Sequence, residues 1–365
     1  MTAPEHKPVT SSASGLPNEI ALLRLSALGD TTHVVPVVRT LQAAWPSTPI
    51  TWIIGRLEHQ LLGDLPGIEF VVVDKNRGWR AYTDLRRSLR GRRFDVLLQM
   101  QVSLRASLLG MQVPAHRKIG FDRDRARDFQ WLFTRERIAN RPRQHVLDGF
   151  FGFAEALGVH SRDLRWDIPI PDTAREWAHR HLPTSQPLLA INPCSSARFR
   201  NFRNWNAKRY AAVAEHAIEQ HSMAVVMIGG PSELEREYGD AIASRCRYPL
   251  VNLIGSTDLK QLLAVLDQAH VVISPDSGPA HMANAVGTPV IGLYAGSNPD
   301  RTGPYCSRQW VINAYPEACQ AAFGKPPEAL RWGQRIREPD VMDRITVADV
   351  TAKLDTLMQP KVTDA

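Results

Sequence analysis

Three loops in the 365-residue chain combine residue types that can move a proton or hold an anion. The first, Ser26-Ala27-Leu28-Gly29-Asp30-Thr31-Thr32-His33, follows the apolar run 20–25 and opens an amphipathic segment. It places Asp30 at a strand end and a helix start, where a carboxylate can act as a general base; an ordinary first-turn acid is the competing reading. The second, Pro275-Asp276-Ser277-Gly278-Pro279-Ala280-His281, joins the run 271–274 to a helical segment stopped by Gly287. With Ser277 at the cap and Pro279 near the first helical position, free backbone N–H groups and the positive dipole end are left for a phosphate. His281 in the first turn can hydrogen-bond a phosphate or a hydroxyl; the plainer alternative is a capped turn with no ligand. The third runs from Pro193 to Trp205 after the apolar run 188–192. Its hydroxyls, among them Ser195 and Ser196, and its guanidiniums suit a pyrophosphate, and Arg203 beside Trp205 is better placed than Arg198 or Arg200, which a solvated loop also explains.

Such loops need strands that end where they begin. Apolar β-rich runs alternate with helix-length amphipathic segments, the pattern of parallel sheets built from βαβ units. The sequence predicts strands over 20–25, 50–54, 70–73, 94–98 and 118–121, with helices over 34–45, 81–91 and 146–157. The pattern then repeats, with strands over 188–192, 224–228, 250–253, 271–274 and 290–294 and helices over 207–221, 233–245, 259–268 and 279–286. Between them 166–187 carries Pro169, Pro171, Pro183 and Pro187 and reads as a linker with one short helix. The expected organisation is α/β: a disordered tail over 1–17, a Rossmann-like domain over 18–165, the linker 166–187, a second Rossmann-like domain over 188–343 and a closing helix over 344–358. A ligand would lie in the cleft between the domains, outside the carboxyl ends of the strands.

Composition narrows the field. With 44% hydrophobic and 22% charged residues the chain is an ordinary globular protein long enough for two or three domains. Its four cysteines lie far apart without C-x-x-C spacing, so neither a disulfide framework nor a zinc site is indicated and a reducing cytoplasm fits. Residues 1–17 lack the apolar core of a signal peptide, and no run of 18 apolar residues occurs. The single glycine in the 26–33 loop does not make the G-x-G-x-x-G fingerprint, which argues against a nicotinamide dehydrogenase. The net charge of +7 is unevenly spread: between Lys75 and Arg143, 18 Lys and Arg stand against six acids. Nucleic acid, an anionic membrane surface or a phosphorylated small molecule could each answer that basicity.

Taken together, Ser26 to Asp30, Arg203-Asn204-Trp205, Leu253-Ile254-Gly255-Ser256-Thr257-Asp258-Leu259 and Asp276 to His281 resemble glycosyltransferase family 9, the ADP-heptose:lipopolysaccharide heptosyltransferases. The resemblance runs from about residue 20 to 357 and is most specific over 253–305. Thr51-Trp52-Ile53-Ile54-Gly55, Asp74-Lys75-Asn76-Arg77-Gly78-Trp79 and Gln130-Trp131-Leu132-Phe133 look most like the heptosyltransferase I branch, which attaches the first heptose to Kdo on lipid A. The resemblance implies a GT-B fold and inverting transfer from ADP-heptose to a Kdo–lipid A acceptor, with no cofactor and no metal. It also implies a cytoplasmic protein bound peripherally to the anionic inner-membrane surface. By the same resemblance Asp30 is the catalytic base, Ser26 and Gly29 lie beneath the transferred sugar, and Asp276, Ser277, Gly278 and His281 surround the donor's sugar and diphosphate. Arg203 stands where the family often has Lys, exchanging a point charge for a fork. Glu233, after Gly229-Gly230-Pro231-Ser232, looks like the family's acidic nucleotide-side residue, a solvent-facing helix start being the other reading.

The residue types agree with that chemistry. A sugar hydroxyl is a weak nucleophile, so a positioned carboxylate is worth on the order of 10²- to 10⁴-fold. Charge developing on the leaving phosphate can be met by fixed N–H groups, Ser277 and Arg203. Lys75, Arg77, Arg80, Arg105 and Arg123 are expected to face an acceptor bearing phosphates and carboxylates, against the alternative of a solvated basic face. Asp122-Arg123-Asp124 matches a D-x-D metal string, but Arg123, Arg125 and Arg127 surround it and favour neutralisation by side chains. The rivals are another GT-B nucleotide-sugar transferase or epimerase, and a non-catalytic nucleic-acid-binding protein. Weak aromatic interleaving among the arginines argues against a nucleic-acid partner.

Overall fold

A computed structural model describes residues 17–183, 185–195 and 201–359. The first half runs β1 (Ile20–Leu23), α1 (Leu28–Ala44), β2 (Ile50–Gly55), α2 (Arg56–Leu62), β3 (Ile68–Val73), α3 (Arg80–Ser88), β4 (Phe94–Gln99), α4 (Leu104–Met111), β5 (Ala115–Gly120), β6 (Glu136–Arg137) and α5 (Val146–Ala156). Helix α6 (Asp172–His181) leads into β7 (Leu188–Ile191), α7 (Ala207–His221), β8 (Ala224–Met227), α8 (Glu233–Ala243), β9 (Val251–Asn252) and α9 (Leu259–Gln268). The chain continues through β10 (Val271–Pro275), α10 (Gly278–Ala285), β11 (Val290–Tyr294), α11 (Pro299–Thr302), β12 (Ile312–Asn313), α12 (Tyr315–Phe323) and α13 (Val347–Met358).

The strands form two six-stranded parallel sheets, ordered β3-β2-β1-β4-β5-β6 and β12-β11-β10-β7-β8-β9. In each half the first strand sits centrally, pairing with the second on one side and the fourth on the other: Ile20 lies opposite both Ile50 and Val96, and Leu189 opposite both Val225 and Val271. Winding reverses between β1 and β4 and between β7 and β10, which opens a crevice at the carboxyl ends of those strands. The central strands are continuous apolar runs because both faces are covered; IALL of β1 and LLAI of β7 are buried throughout.

Packing joins the halves. One apolar cluster draws on β1, α1 and α5 from the first half and β7, α9 and α10 from the second, while separate clusters fill the outer face of each sheet. Lys260 on α9 donates to Asp64 Oδ1 at 2.6 Å and to the Pro169 carbonyl at 2.7 Å. The stretch read as a linker carries α6, which packs on α9 through buried Ala174 and Ala178 and an Arg175–Asp267 ion pair. Helix signals worked locally. Asp258 and Gln261 form a capping box on α9, as do Thr346 and Asp349 on α13, and Gly287 after α10 has φ +83°, a conformation that glycine adopts without penalty. The sequence reading did not anticipate α2, α4, α11 or α12, nor the two-residue edge strands β6 and β12.

Candidate functional site

The loop leaving β1 puts a charge pair at the mouth of the first sheet. Arg24 is buried, donates from Nη1 to the Met100 carbonyl at 2.6 Å and from Nη2 to Asp30 Oδ2 at 2.5 Å, and lies over the Phe150 ring. Burial lowers the Arg24 pKa, and the neighbouring Asp30 and Glu58 carboxylates oppose that shift. Asp30, in the first turn of α1, is the more exposed partner, 39% against 10% for the Arg24 side chain. One carboxylate oxygen is thus fixed by a guanidinium anchored to the β4 end, and the group faces open space. Sequence reasoning passed over Arg24; its signal is a lone guanidinium directly after an otherwise apolar strand.

Across the crevice, β10 delivers Asp276 and Ser277 to the start of α10. Arg203 Nη1 donates to Asp276 Oδ2 at 2.9 Å and to the Asp276 carbonyl at 3.0 Å, and its Nε donates to Asn201 Oδ1 at 3.0 Å. Ser277 occupies the N-cap position but does not cap: its hydroxyl meets Asn192 Nδ2 at 2.9 Å and Ser274 Oγ at 2.8 Å, and α10 has no side-chain cap bond. The expected cap is therefore corrected, because Asn192 at the end of β7 competes for the same oxygen. The helix tip keeps its unpaired donors toward the crevice, the arrangement that binds anions.

The tips of α1 and α10 meet. A Cβ on Gly29 would lie 2.4 Å from His281 Cδ2, so only glycine permits this approach. Behind the contact three buried imidazoles from α1, the α5 cap and α10 stack edge to face, His33 with His281 at 4.6 Å and with His145 at 5.3 Å between ring centroids. His145 Nδ1 accepts from the Leu147 N–H at 3.1 Å while Nε2 lies 2.9 Å from the Gly303 carbonyl, which fixes a neutral tautomer and ties the halves together. Burial lowers the pKa of all three rings, His145 to about 4, and the neighbouring imidazoles lower that of His33 further. Both ring nitrogens of His33 and Nδ1 of His281 lack a protein partner among the described residues.

Two cavities flank Asp30. The larger, about 860 Å³, is lined by Gly29, His33, Glu58, Asn192, Cys194, Arg203, Glu235, Asp276, Ser277, Gly278, His281 and Arg335. The second, about 420 Å³, carries seven arginines (Arg24, Arg125, Arg127, Arg141, Arg143, Arg301 and Arg331) against Asp30 and Asp124, with Trp332 on its rim. Asp30, Val146 and Arg301 line both. Burial lowers the pKa of Arg127 in the second cavity, and the facing Arg331 and Arg301 add to it. A further cavity of about 780 Å³ among Arg86, Arg90 and Arg92 lies near Pro114, at the opposite end of the first sheet from Asp30.

The structure thus brings Asp30, Gly29, Arg203, Asp276, Ser277, Gly278 and His281 to one space. Ser26 lies one residue outside its wall, with Oγ accepting from Gln101 Nε2 at 3.2 Å. Ser195 is buried and committed to the loop, with N donating to Asn204 Oδ1 at 2.9 Å and Oγ accepting from Asn201 at 2.6 Å; Ser196 lies outside the described residues. The acid in the cavity wall is Glu235, not Glu233: Glu235 accepts from the Gly230 N–H at 2.7 Å and from the Ser232 hydroxyl, whereas Glu233 is exposed. The Ser232-Glu233-Leu234-Glu235 spacing is that of a capping box and could have identified it.

The five basic residues expected at an acceptor are not among those lining either cavity beside Asp30. Lys75 and Arg105 line a pocket of about 190 Å³ under Trp79, Arg77 pairs with Asp84 at 2.7 Å, and Arg80 and Arg123 are exposed. The basic cavity is built instead from Arg24 after β1, Arg125 and Arg127 after β5, Arg141 and Arg143 after β6, and Arg301 and Arg331, which no local pattern connects. The D-x-D string is divided, Asp122 pairing with Arg125 and Asp124 accepting from Asn140 at 2.6 Å.

Comparison with known proteins gives this geometry a family. The model of glycosyltransferase family 9 (heptosyltransferase) matches residues 82–332. Lipopolysaccharide core heptosyltransferase OpsX of Haemophilus influenzae is 40% identical over 93% of this chain and 97% of that protein. Among solved structures, a family 9 glycosyl transferase from Veillonella parvula superposes with TM-score 0.77 at 23% identity, covering 93% of this chain and 97% of that one. The E. coli heptosyltransferase WaaC with ADP gives TM-score 0.71 at 17% identity, covering 93% and 99%. The fold is GT-B. The chain belongs to glycosyltransferase family 9 and is a glycosyltransferase of the heptosyltransferase type.

Proposed function

We propose that the chain transfers heptose from ADP-heptose to Kdo on a lipid A precursor during lipopolysaccharide core synthesis, with inversion at the anomeric carbon and without a metal ion. The observation that carries this reading is the placement of Asp30 in the wall shared by two cavities, one ending on the α10 tip and the other lined by arginines. Its similarity to a lipopolysaccharide core heptosyltransferase and to a heptosyltransferase with ADP supports the donor and the pathway.

In this reading the diphosphate sits at the uncapped N-terminus of α10, where backbone N–H groups and Arg301 meet its charge. Arg203 acts through Asp276, neutralising and fixing it. The acceptor enters the arginine-lined cavity, whose charge matches phosphates and Kdo carboxylates. Its hydroxyl oxygen attacks the anomeric carbon from the face opposite ADP, the bond to the β-phosphate oxygen breaks, and ADP leaves with the electron pair. The hydroxyl proton passes to Asp30, whose Oδ2 Arg24 holds in place. A lipid-borne acceptor would bring the protein to the cytoplasmic face of an anionic membrane, where exposed Trp79, Phe129, Trp131 and Leu132 among the arginines would dip into the interface. No helix among the described residues is long and apolar enough to cross a membrane.

Asp30→Asn tests the assignment. It keeps the side chain's size and removes the base, so turnover should fall by about 10²- to 10⁴-fold. ADP affinity should stay within about twofold, and EDTA should leave the wild-type rate unchanged. Full turnover in the variant, or a preference for UDP over ADP, would overturn the reading.

A further inference from the structure

On the outer face of the second sheet, α13 crosses α7 and brings together side chains that are 134 residues apart at the closest. His216 and His221 project from α7 and Asp355 from α13. His216 Nε2 lies 2.6 Å and His221 Nε2 2.7 Å from the same oxygen, Asp355 Oδ1, and one ligand atom of each of the three lies within 4.8 Å of the others. Residues five apart on a helix point in different directions. The two rings converge because α13 lies between them, seated by buried Val350 and Leu354. Burial disfavours the Asp355 carboxylate, yet the two imidazoles hold its pKa below the ordinary value.

We propose that His216, His221 and Asp355 bind one divalent transition-metal ion, Zn²⁺ being the best match, and that the ion staples α13 to α7. Two imidazoles and one carboxylate form a ligand set that favours zinc, copper and nickel over magnesium and calcium. With metal–ligand bonds of about 2.0–2.2 Å, tetrahedral ligand atoms sit about 3.4 Å apart. The carboxylate must therefore retreat by less than about 1 Å from each ring, and its 43% side-chain exposure leaves room for that and for water in the remaining position. Both Nε2 atoms already face Asp355 Oδ1, so an ion placed between them would take the Nε2 lone pairs of the two rings, each keeping its hydrogen on Nδ1, and one carboxylate oxygen. None of the three residues is among those lining the two cavities beside Asp30, so the ion is a clamp on the fold and takes no part in transfer. Searching the sequence for closely spaced ligands misses such a site because its members lie on helices distant in the chain.

The test uses the full chain, stripped with EDTA and dialysed, then titrated with Zn²⁺ by calorimetry and followed by thermal melting. One ion per chain is expected, with Tm rising by about 3–4 °C at 100 times Kd and little response to Mg²⁺. His216→Gln and His221→Gln should each remove the binding event and the rise, while metal-free turnover stays at the wild-type value. Co²⁺ in the wild-type protein should give a visible band without thiolate charge transfer, a readout that does not depend on the variants folding. Absence of binding in the wild type, binding that survives in both variants, or a thiolate band would each overturn the proposal.

Discussion

Acid should loosen the junction between the two halves before it reaches the carboxylates, and His145 sets the scale. Its pKa is about 4 in the fold, chiefly through burial, against 6.5 for the ordinary ring. The native state therefore resists a proton that the unfolded chain accepts, so the stabilisation is complete above pH 6.5 and is lost as pH falls toward 4. The full shift corresponds to about 3 kcal/mol, of which about 2 kcal/mol is gone at pH 5. His33 and His281, shifted in the same direction, add to the loss. Carboxylates with lowered pKa values, such as Asp163 and Glu215, lose their contribution only below their unfolded values, and Glu58, whose pKa is raised, changes stability with the opposite sign. Between pH 5 and 7 the three imidazoles lower stability as acid is added, and Glu58 works against them. His145→Asn isolates the effect: asparagine can still cap α5, but it neither titrates nor reaches Gly303. Urea unfolding followed by tryptophan fluorescence should show the variant about 2 kcal/mol less stable at pH 7.5. At pH 5 the two proteins should be nearly equal. A gap of the same size at both pH values would refute the link between burial of this ring and acid sensitivity.

The closest approach in the crevice predicts that Gly29→Ala, whose Cβ meets His281 at 2.4 Å, will destabilise the chain by about 1–3 kcal/mol and depress turnover; a wild-type melting curve and rate would refute it. Glu235→Ala should cost about 1 kcal/mol in thermal or urea unfolding through its bonds to Gly230 and Ser232, and should weaken ADP binding in calorimetry. Glu233→Ala should change stability by less than about 0.5 kcal/mol and leave ADP binding alone; equal effects from the two would undo the assignment of Glu235 to the cavity.

The central strands were legible because a parallel strand covered on both faces must be apolar throughout, and nine of the helices announced themselves by amphipathic spacing or caps. Short α2 follows β2 without a turn residue between Gly55 and Arg56, and β6 and β12 are two-residue edges, so periodicity had nothing to register. In the site, loops that follow central strands were readable as loops, which located Asp30, Gly29, Asp276 and His281. What each side chain would bond to was not readable. Ser277 and Ser195 look like free hydroxyls in the sequence, but Asn192, Asn201 and Asn204 claim them in the fold. The charge density between Lys75 and Arg143 was plain, but its direction was not, because Arg125, Arg127, Arg141 and Arg143 turn toward Asp30 while Lys75 and Arg105 turn away. The histidine stack is the extreme case: His33, His145 and His281 meet only after three helices have packed.

Helix α10 begins at a serine whose hydroxyl is spoken for elsewhere, which leaves the start of the helix structurally unfinished. An anion arriving at that tip would supply the missing acceptor and so become the last piece of the local fold. Recognition and ordering would then be a single event, transmitted at once to α1 through the glycine that His281 overlies. Order at the α10 tip and occupancy of the crevice would thereby rise and fall together.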